Sequence, residues 1–282
     1  MKSKNKNILV TGASTGIGFS AVEAFLKEGC TVYGMVRSDK DAQKLKKELG
    51  DKFTPLIADV TDHKSIDRIT NLLKTEIGKE GLSCLVNNAG IAQPGPLLDQ
   101  TIDQIQYHFD VNVMGLIKVT KSLLPLLGAQ KDCPFQAGKI INISSVNGKI
   151  GFPFVGAYVA SKHAVEGYSQ SLRRELLPFG IDVVIVGPGP VKTPIWDKGM
   201  TTNDYENSLY KKPIERYTKL MMKAGANGLE PEIIADRIIK IYNSSRPKTR
   251  YTMLKGYLQS YLIPRLLPDR MLDGMVGKIM KL

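Results

Sequence analysis

The chain is poor in the residues that build disulfide scaffolds and metal centres. Its three cysteines, Cys30, Cys84 and Cys133, are odd in number and have no C-x-x-C spacing, so neither a disulfide framework nor a metal site is indicated. No apolar run approaches the ~18 residues a spanning helix needs. Ile8, Leu9 and Val10 behind the basic start are too few for a signal-peptide core, and the reading that follows is a cytoplasmic protein in a reducing setting. Histidine is scarce as well: only His63, His108 and His163 occur, leaving the last 119 residues (164–282) without one. Acids are outnumbered, 27 Asp and Glu against 39 Lys and Arg, for a net charge of +12. That balance favours anionic partners such as a phosphorylated cofactor or an acidic membrane surface. The densest basic run (Lys40, Lys44, Lys46, Lys47, Lys52) is interrupted by Asp39, Asp41, Glu48 and Asp51, so it reads as a solvated helix face and no nucleic acid is expected.

What the chain does have is alternation. Short β-branched runs at Asn7–Thr11, Thr31–Val36, Phe53–Ala58, Leu82–Asn87, Lys139–Ser144, Asp182–Val186 and Thr249–Leu254 read as strands. Between them, helical patterns occupy about 17–28, 40–49, 62–79, 101–128, 157–178 and 230–244. Such an order predicts an α/β fold: a doubly wound (Rossmann) parallel sheet of about seven strands with helices on both faces. The strands are nearly continuous apolar runs, as two covered faces require. A single domain over 1–282 accounts for the pattern. Residues 194–228 form an insertion over the sheet, and 256–282 an amphipathic C-terminal tail.

The first strand leads into Thr11-Gly12-Ala13-Ser14-Thr15-Gly16-Ile17-Gly18 and a helix. Small residues there let the backbone approach a pyrophosphate at a helix N-terminus. The same octet contains Gly12-Ala13-Ser14-Thr15-Gly16, which satisfies the hydrolase elbow G-x-S-x-G and leaves a serine hydrolase on Ser14 as an alternative. That chemistry needs a histidine late in the chain, where none exists. The second strand ends without an acid and is followed by Arg37 and Ser38, which favours the 2′-phosphate of NADP(H) over the ribose of NAD(H) and leaves NAD(H) open.

Two sites match Y-x-x-x-K: Tyr158/Lys162 and Tyr251/Lys255. On the 157–178 helix the first pair stands one turn apart on one face. The second pair falls on a strand, where four residues span about 13 Å. A lysine ammonium beside Tyr158 is expected to lower its pKa towards the operating pH of a general acid–base group. Ser144 and Ser145 end strand five, Asn87-Asn88-Ala89-Gly90 ends strand four, and Gly187-Pro188-Gly189-Pro190-Val191-Lys192-Thr193 ends strand six, all at the edge where ligands bind in open α/β sheets. Asn112 interrupts an otherwise apolar helix, which implies a partner.

Together the T-G-x-x-x-G-x-G turn, Asp59-Val60, N-N-A-G, Asn112, Ser145, Tyr158-x-x-x-Lys162 and Pro188-Gly189 resemble the short-chain dehydrogenase/reductase superfamily over about residues 5–195, leaning to its steroid- and retinol-dehydrogenase side. The resemblance implies Tyr158 as proton donor and acceptor, Ser145 as partner of the substrate oxygen, Lys162 as anchor of the nicotinamide ribose, and Asn112 as support for a water relay. It places the dinucleotide against the turn Gly12, Ser14, Thr15, Gly16, Ile17 and Gly18, with Arg37 at the adenosine end. Asp59 and Val60 then border the adenine, Asn88 the adenosine ribose side and Thr193 the carboxamide, with Ala89, Gly90, Pro188, Gly189 and Val191 also counted as cofactor-binding. Thr15 stands where many NADP users of the superfamily carry a basic residue, so Arg37 alone carries that preference. A non-catalytic dinucleotide-sensing module is the other alternative, and such proteins usually lack the Tyr–Lys pair.

The expected reaction interconverts an alcohol and a ketone or aldehyde on a lipophilic substrate such as a steroid, retinoid or fatty carbonyl. Its walls are expected from Ile91, Phe152, Phe154, Val155 and, in the 194–228 segment, Trp196, Met200, Leu209, Tyr210, Ile214, Tyr217, Leu220, Met221 and Met222. In the tail, Met271, Leu272, Met275, Val276, Ile279 and Met280 recur at helical spacing as one apolar stripe. It either docks on the protein or makes peripheral membrane contact. The resemblance also implies a homodimer or homotetramer through the 101–128 and 157–178 helices.

Overall fold

A computed structural model describes residues 5–196 and 205–282. Seven strands, β1 (Asn7–Thr11), β2 (Thr31–Val36), β3 (Phe53–Ile57), β4 (Cys84–Asn87), β5 (Lys139–Ile143), β6 (Asp182–Pro188) and β7 (Arg250–Met253), form one sheet in the order β3-β2-β1-β4-β5-β6-β7. Every pairing is parallel. The chain reverses direction across the sheet between β1 and β4, the switch point at which ligands enter such sheets.

Six helices follow strands and cover the faces: α1 (Gly16–Lys27), α2 (Asp39–Leu49), α3 (His63–Ile77), α4 (Ile102–Phe109), α5 (Leu116–Leu123) and α6 (Gly156–Glu175). After β6 come α7 (Lys211–Ala226) and α8 (Pro231–Asn243), and after β7 the short α9 (Ile263–Leu266) and α10 (Asp269–Met280). Alternate strand residues feed two cores. Ile8, Val10, Val86 and Ile141 pack with α1 and α8 on one face, through Val22, Phe25, Ile234 and Ile238. Leu9, Leu85, Ile140 and Val183 pack with α3, α5 and α6 on the other, through Ile69, Leu73, Val119 and Leu172.

Three departures from the sequence reading have physical causes. Strand six runs two residues further, to Pro188, because β7 supplies a partner at Gly187 and Pro188. The continuous helix expected over 101–128 is broken. A π-helical segment, Asp110–Gly115, joins α4 to α5, and Pro125 converts the end into a 3-10 turn, Pro125–Leu127. The tail's single expected stripe divides into two faces. Met280 is fully buried and Leu272 and Val276 are half-buried, whereas Met271, Met275 and Ile279 are exposed. Among the described residues no helix is long and apolar enough to cross a membrane.

Candidate active site

The turn after β1 is shaped by backbone demands that only glycine meets. Gly12 and Gly16 take φ of +64° and +57°, in the left-handed region. A Cβ on Gly18 would lie 2.1 Å from the Gly12 carbonyl and 2.5 Å from Asn88 Nδ2. Asn88 staples the turn to β4: its Nδ2 donates to the Thr11 and Gly12 carbonyls at 3.0 and 3.1 Å, while Thr11 Oγ1 accepts from the Asn88 and Ala89 amides, both at 3.0 Å. At the N-terminus of α1, Thr15 makes no side-chain cap and the first turn holds no acid, so its amides face outward without an internal anion. Thr193 reaches over this turn, its methyl group where a Gly16 Cβ would sit. A glycine cradle, an uncapped helix start and an exposed Arg37 beyond β2 fit a dinucleotide phosphate chain. Ser38, by contrast, is spent capping α2 through the Asp41 amide at 3.1 Å. Asp59 is tied to Thr61 by two bonds of 2.8 and 2.7 Å, and Val60 lies buried beneath Gly115.

At the other end of the same edge, β5 delivers Ser145, which is 8% exposed. Its hydroxyl accepts from the Asn147 amide at 3.1 Å, lies 3.4 Å from the Pro188 carbonyl, and hydrogen-bonds Tyr158 from α6. Ser144 Oγ is buried and has no partner among the described residues. Lys162, one turn after Tyr158, is buried, donates to the Ile143 carbonyl at 3.0 Å and sits 5.8 Å from the Tyr158 ring centre. Asn112 lies in the π-helical segment. Its Oδ1 accepts from the Ile91 amide at 2.8 Å, and its Nδ2 donates to the Ile91 carbonyl at 3.0 Å and to Ser161 at 2.9 Å.

The expected direction of one shift is reversed. Burial pushes the Tyr158 phenol above its ordinary value and Ser145 only partly offsets this. Burial also pulls Lys162 down to about 8, opposed by Glu166. The protein environment therefore holds the phenol protonated at neutral pH.

The second Y-x-x-x-K pair separates. Tyr251 accepts from the Lys248 amide at 3.0 Å and stacks under Arg237, while Lys255 donates to the Asn227 carbonyl. Nor does Ser14 find a base. His108 is bonded to Gln93 and Gln104, His163 bonds the Val159 carbonyl, and His63 lies exposed at the start of α3.

Residues 6–204 match the model of the short chain dehydrogenase family. The chain belongs to that family. It is an NAD(P)-dependent oxidoreductase on the family's fold, and a hydrolase on Ser14 is set aside. This dehydrogenase is 38% identical over 274 residues to an NADPH-dependent 3-dehydrocapnine reductase of Ornithobacterium rhinotracheale, covering 97% of this chain and 96% of that one. It is 33% identical over 270 residues to a 3-ketodihydrosphingosine reductase of Bacteroides thetaiotaomicron, covering 94% of each. A serine dehydrogenase solved in a closed form with NADP+ superposes with a TM-score of 0.74 at 26% identity, over 90% of this chain and 96% of that one.

Above Tyr158 this dehydrogenase carries an apolar cluster. Phe154, Val155, Tyr205, Ile214, Tyr217 and Met280 are buried in it, with Phe152, Tyr158, Tyr210, Met221 and Val276 packed against them. Phe154 takes a φ of +66°, uncommon for a bulky residue, and its ring meets Tyr210 and Tyr217 edge-on at 5.6 and 6.1 Å. Not all expected wall residues join. Ile91 packs into the core beneath the sheet. Trp196 donates to the Val191 carbonyl at 2.7 Å and lies against Gly225. Leu209, Leu220 and Met222 face solvent, and Met200 lies outside the described residues. Sequence reasoning missed Glu166 and Arg250. It also missed a buried polar ladder behind the site, in which Asn87 donates to Thr120 and Asn142, and Asn142 to Ser169, at 2.8–2.9 Å.

Proposed function

We propose that this dehydrogenase uses NADPH to reduce the ketone of a lipophilic, long-chain substrate to a secondary alcohol. The observation that carries the reading is the Ser145–Tyr158–Lys162 group at the ligand edge of the sheet, roofed by an aromatic cluster in which Tyr158 itself takes part. When bound, the cofactor supplies the hydride. The chain's residues supply placement and the proton. Ser145 presents a hydroxyl to the substrate oxygen beside the Tyr158 phenol. Burial keeps that phenol protonated, so it is charged with the proton that the developing alkoxide takes up. Lys162, held against the Ile143 carbonyl, keeps a positive charge close enough to stabilise the phenolate left behind. Arg37 favours NADPH, and the relatives named for 3-dehydrocapnine and 3-ketodihydrosphingosine support a long-chain carbonyl over a sugar or small acid. Such a substrate resides in membranes, and α10 is the element that brings the protein to one.

Tyr158→Phe tests the chemistry. It is expected to lower kcat about 10²–10⁴-fold while leaving NADPH affinity, read by fluorescence titration, essentially unchanged. A variant as active as the parent would overturn the role of Tyr158. Turnover confined to small polar carbonyls in an NADPH-oxidation panel would overturn the substrate class.

A further inference from the structure

Glu166 is 1% exposed and lies one helical turn beyond Lys162 on α6. A lone buried carboxylate is costly and demands partners. It has two. Arg250, the first residue of β7, donates through Nε to Glu166 Oε1 and Oε2 at 3.1 and 3.0 Å. Lys149, from the loop after β5, sits at 3.4 Å. The rest of the Arg250 fork is also engaged. Nη2 donates to the Ser145 carbonyl at 3.3 Å, Nη1 bonds Thr252, and the guanidinium lies 5.8 Å over the Tyr261 ring. Two glycines make the room. A Cβ on Gly187 would meet Arg250 Nη2 at 2.5 Å, and one on Gly148 would meet Glu166 Cγ at 2.9 Å.

We propose that the Glu166–Arg250 pair is a positioning device for the catalytic group: Glu166 sets a compensating negative charge behind the Lys162 ammonium, and Arg250 pins the backbone of Ser145. The pair reaches both halves of the proton-handling site from behind, joining the sheet's edge strand to α6 without touching substrate. Besides Glu166, the groups around Lys162 are Tyr158 on its own helix and the neutral Asn112 and Ser161. Arg250 and Lys149 face Glu166 in turn. Glu166 therefore raises the affinity of Lys162 for its proton, and two positive charges beside the carboxylate oppose that effect by Coulomb's law.

This inference rests on the oxidoreductase reading, but its primary test needs no turnover. The Lys162 ammonium is titrated by heteronuclear NMR of its ε-methylene in the cofactor-free chain, between about pH 6 and pH 10. Glu166→Gln leaves Arg250 unpaired, and the titration is expected to move down by about one pH unit. Arg250→Gln frees the carboxylate, and the titration is expected to move up. The alkaline limb of kcat/KM for NADPH-dependent carbonyl reduction follows in the same two directions. A merely structural pair would destabilise both variants and move neither limb in an opposed sense. The double variant Glu166→Met/Arg250→Met leaves no buried charge unpaired, since Lys149 is part-exposed, and stands in for any single variant that fails to fold. Its titration is expected below that of the parent and above that of Glu166→Gln. Coincident titrations, or single variants shifting the same way, would overturn the proposal. Opposed titrations in a chain that turns over no carbonyl would count against the proposed reaction alone.

Discussion

Arg37 stands exposed one residue past β2, and the strand ends with no carboxylate beside it. An exposed guanidinium is fully hydrated, so its value lies in choosing between two cofactors that differ by one phosphate. Arg37→Ala should raise the KM for NADPH roughly tenfold and leave that for NADH nearly unchanged, with the NADPH effect shrinking as salt is added. Equal losses with both cofactors would show that Arg37 has no part in the choice. The place of Arg37 was legible because it depends only on where a strand ends. Tyr158, Lys162 and Ser145 were legible for a similar reason: helical spacing and strand ends set their neighbourhood. Glu166 and Arg250 were not. A glutamate in a helix and an arginine opening an edge strand look like solvated surface until the fold brings them together, 84 positions apart in the chain.

The strand–helix alternation made the sheet readable, since parallel strands with crossover helices admit few arrangements. What it hid was the inside of the 101–128 region. Phe109, Val113, Leu116 and Ile117 keep steps of three and four residues across it, and nothing in that period announces the π-helical segment at Asp110–Gly115. Such bulges recur at functional sites, where one extra residue re-aims a side chain. Here the side chain is Asn112, which takes both polar groups of Ile91 and reaches Ser161 on α6. Asn112→Ala removes three hydrogen bonds and strands the part-buried Ile91 amide and carbonyl. The expected loss is about 2 kcal/mol of unfolding free energy in a urea melt. Because Gly90, beside Ile91, lies close to Lys162 (a Cβ there would be 3.6 Å from Nζ), kcat should fall as well, while the affinity for adenosine monophosphate fragments of the cofactor holds. A variant with wild-type stability and rate would show that the segment merely packs.

At the scale of the whole molecule, the C-terminal element joins the site to the outside. On α10 the residues at positions 272, 276 and 280 turn inward. Met280 and Val276 pack into the cluster that contains Tyr158, and Arg216 of α7 donates to the Met280 carbonyl at 2.7 Å. Positions 271, 275 and 279 turn outward and are 56%, 47% and 55% exposed, and Leu258, Ile263 and Leu266 of the preceding segment are exposed as well. Adjacent residues on a helix of 3.6 residues per turn point about 100° apart, so the paired positions of one broad sequence stripe face different ways, and the sequence does not say which row is buried. The same C-terminal stretch carries Lys255, Arg265, Arg270, Lys278 and Lys281 against Asp269 and Asp273. An exposed apolar face on so basic a segment fits an anionic lipid surface, each basic residue near the membrane adding about 1 kcal/mol. The helix that roofs the site would then lie against the reservoir of a lipophilic substrate. Met275→Glu/Ile279→Glu should therefore cut co-sedimentation with phosphatidylglycerol vesicles at least about tenfold, with kcat on a short water-soluble ketone unchanged. Val276→Glu, aimed at the inward face, should instead lower the melting temperature. If the outward pair altered the mass in solution and left vesicle binding intact, the face would be a contact with a second copy and the membrane assignment would fail.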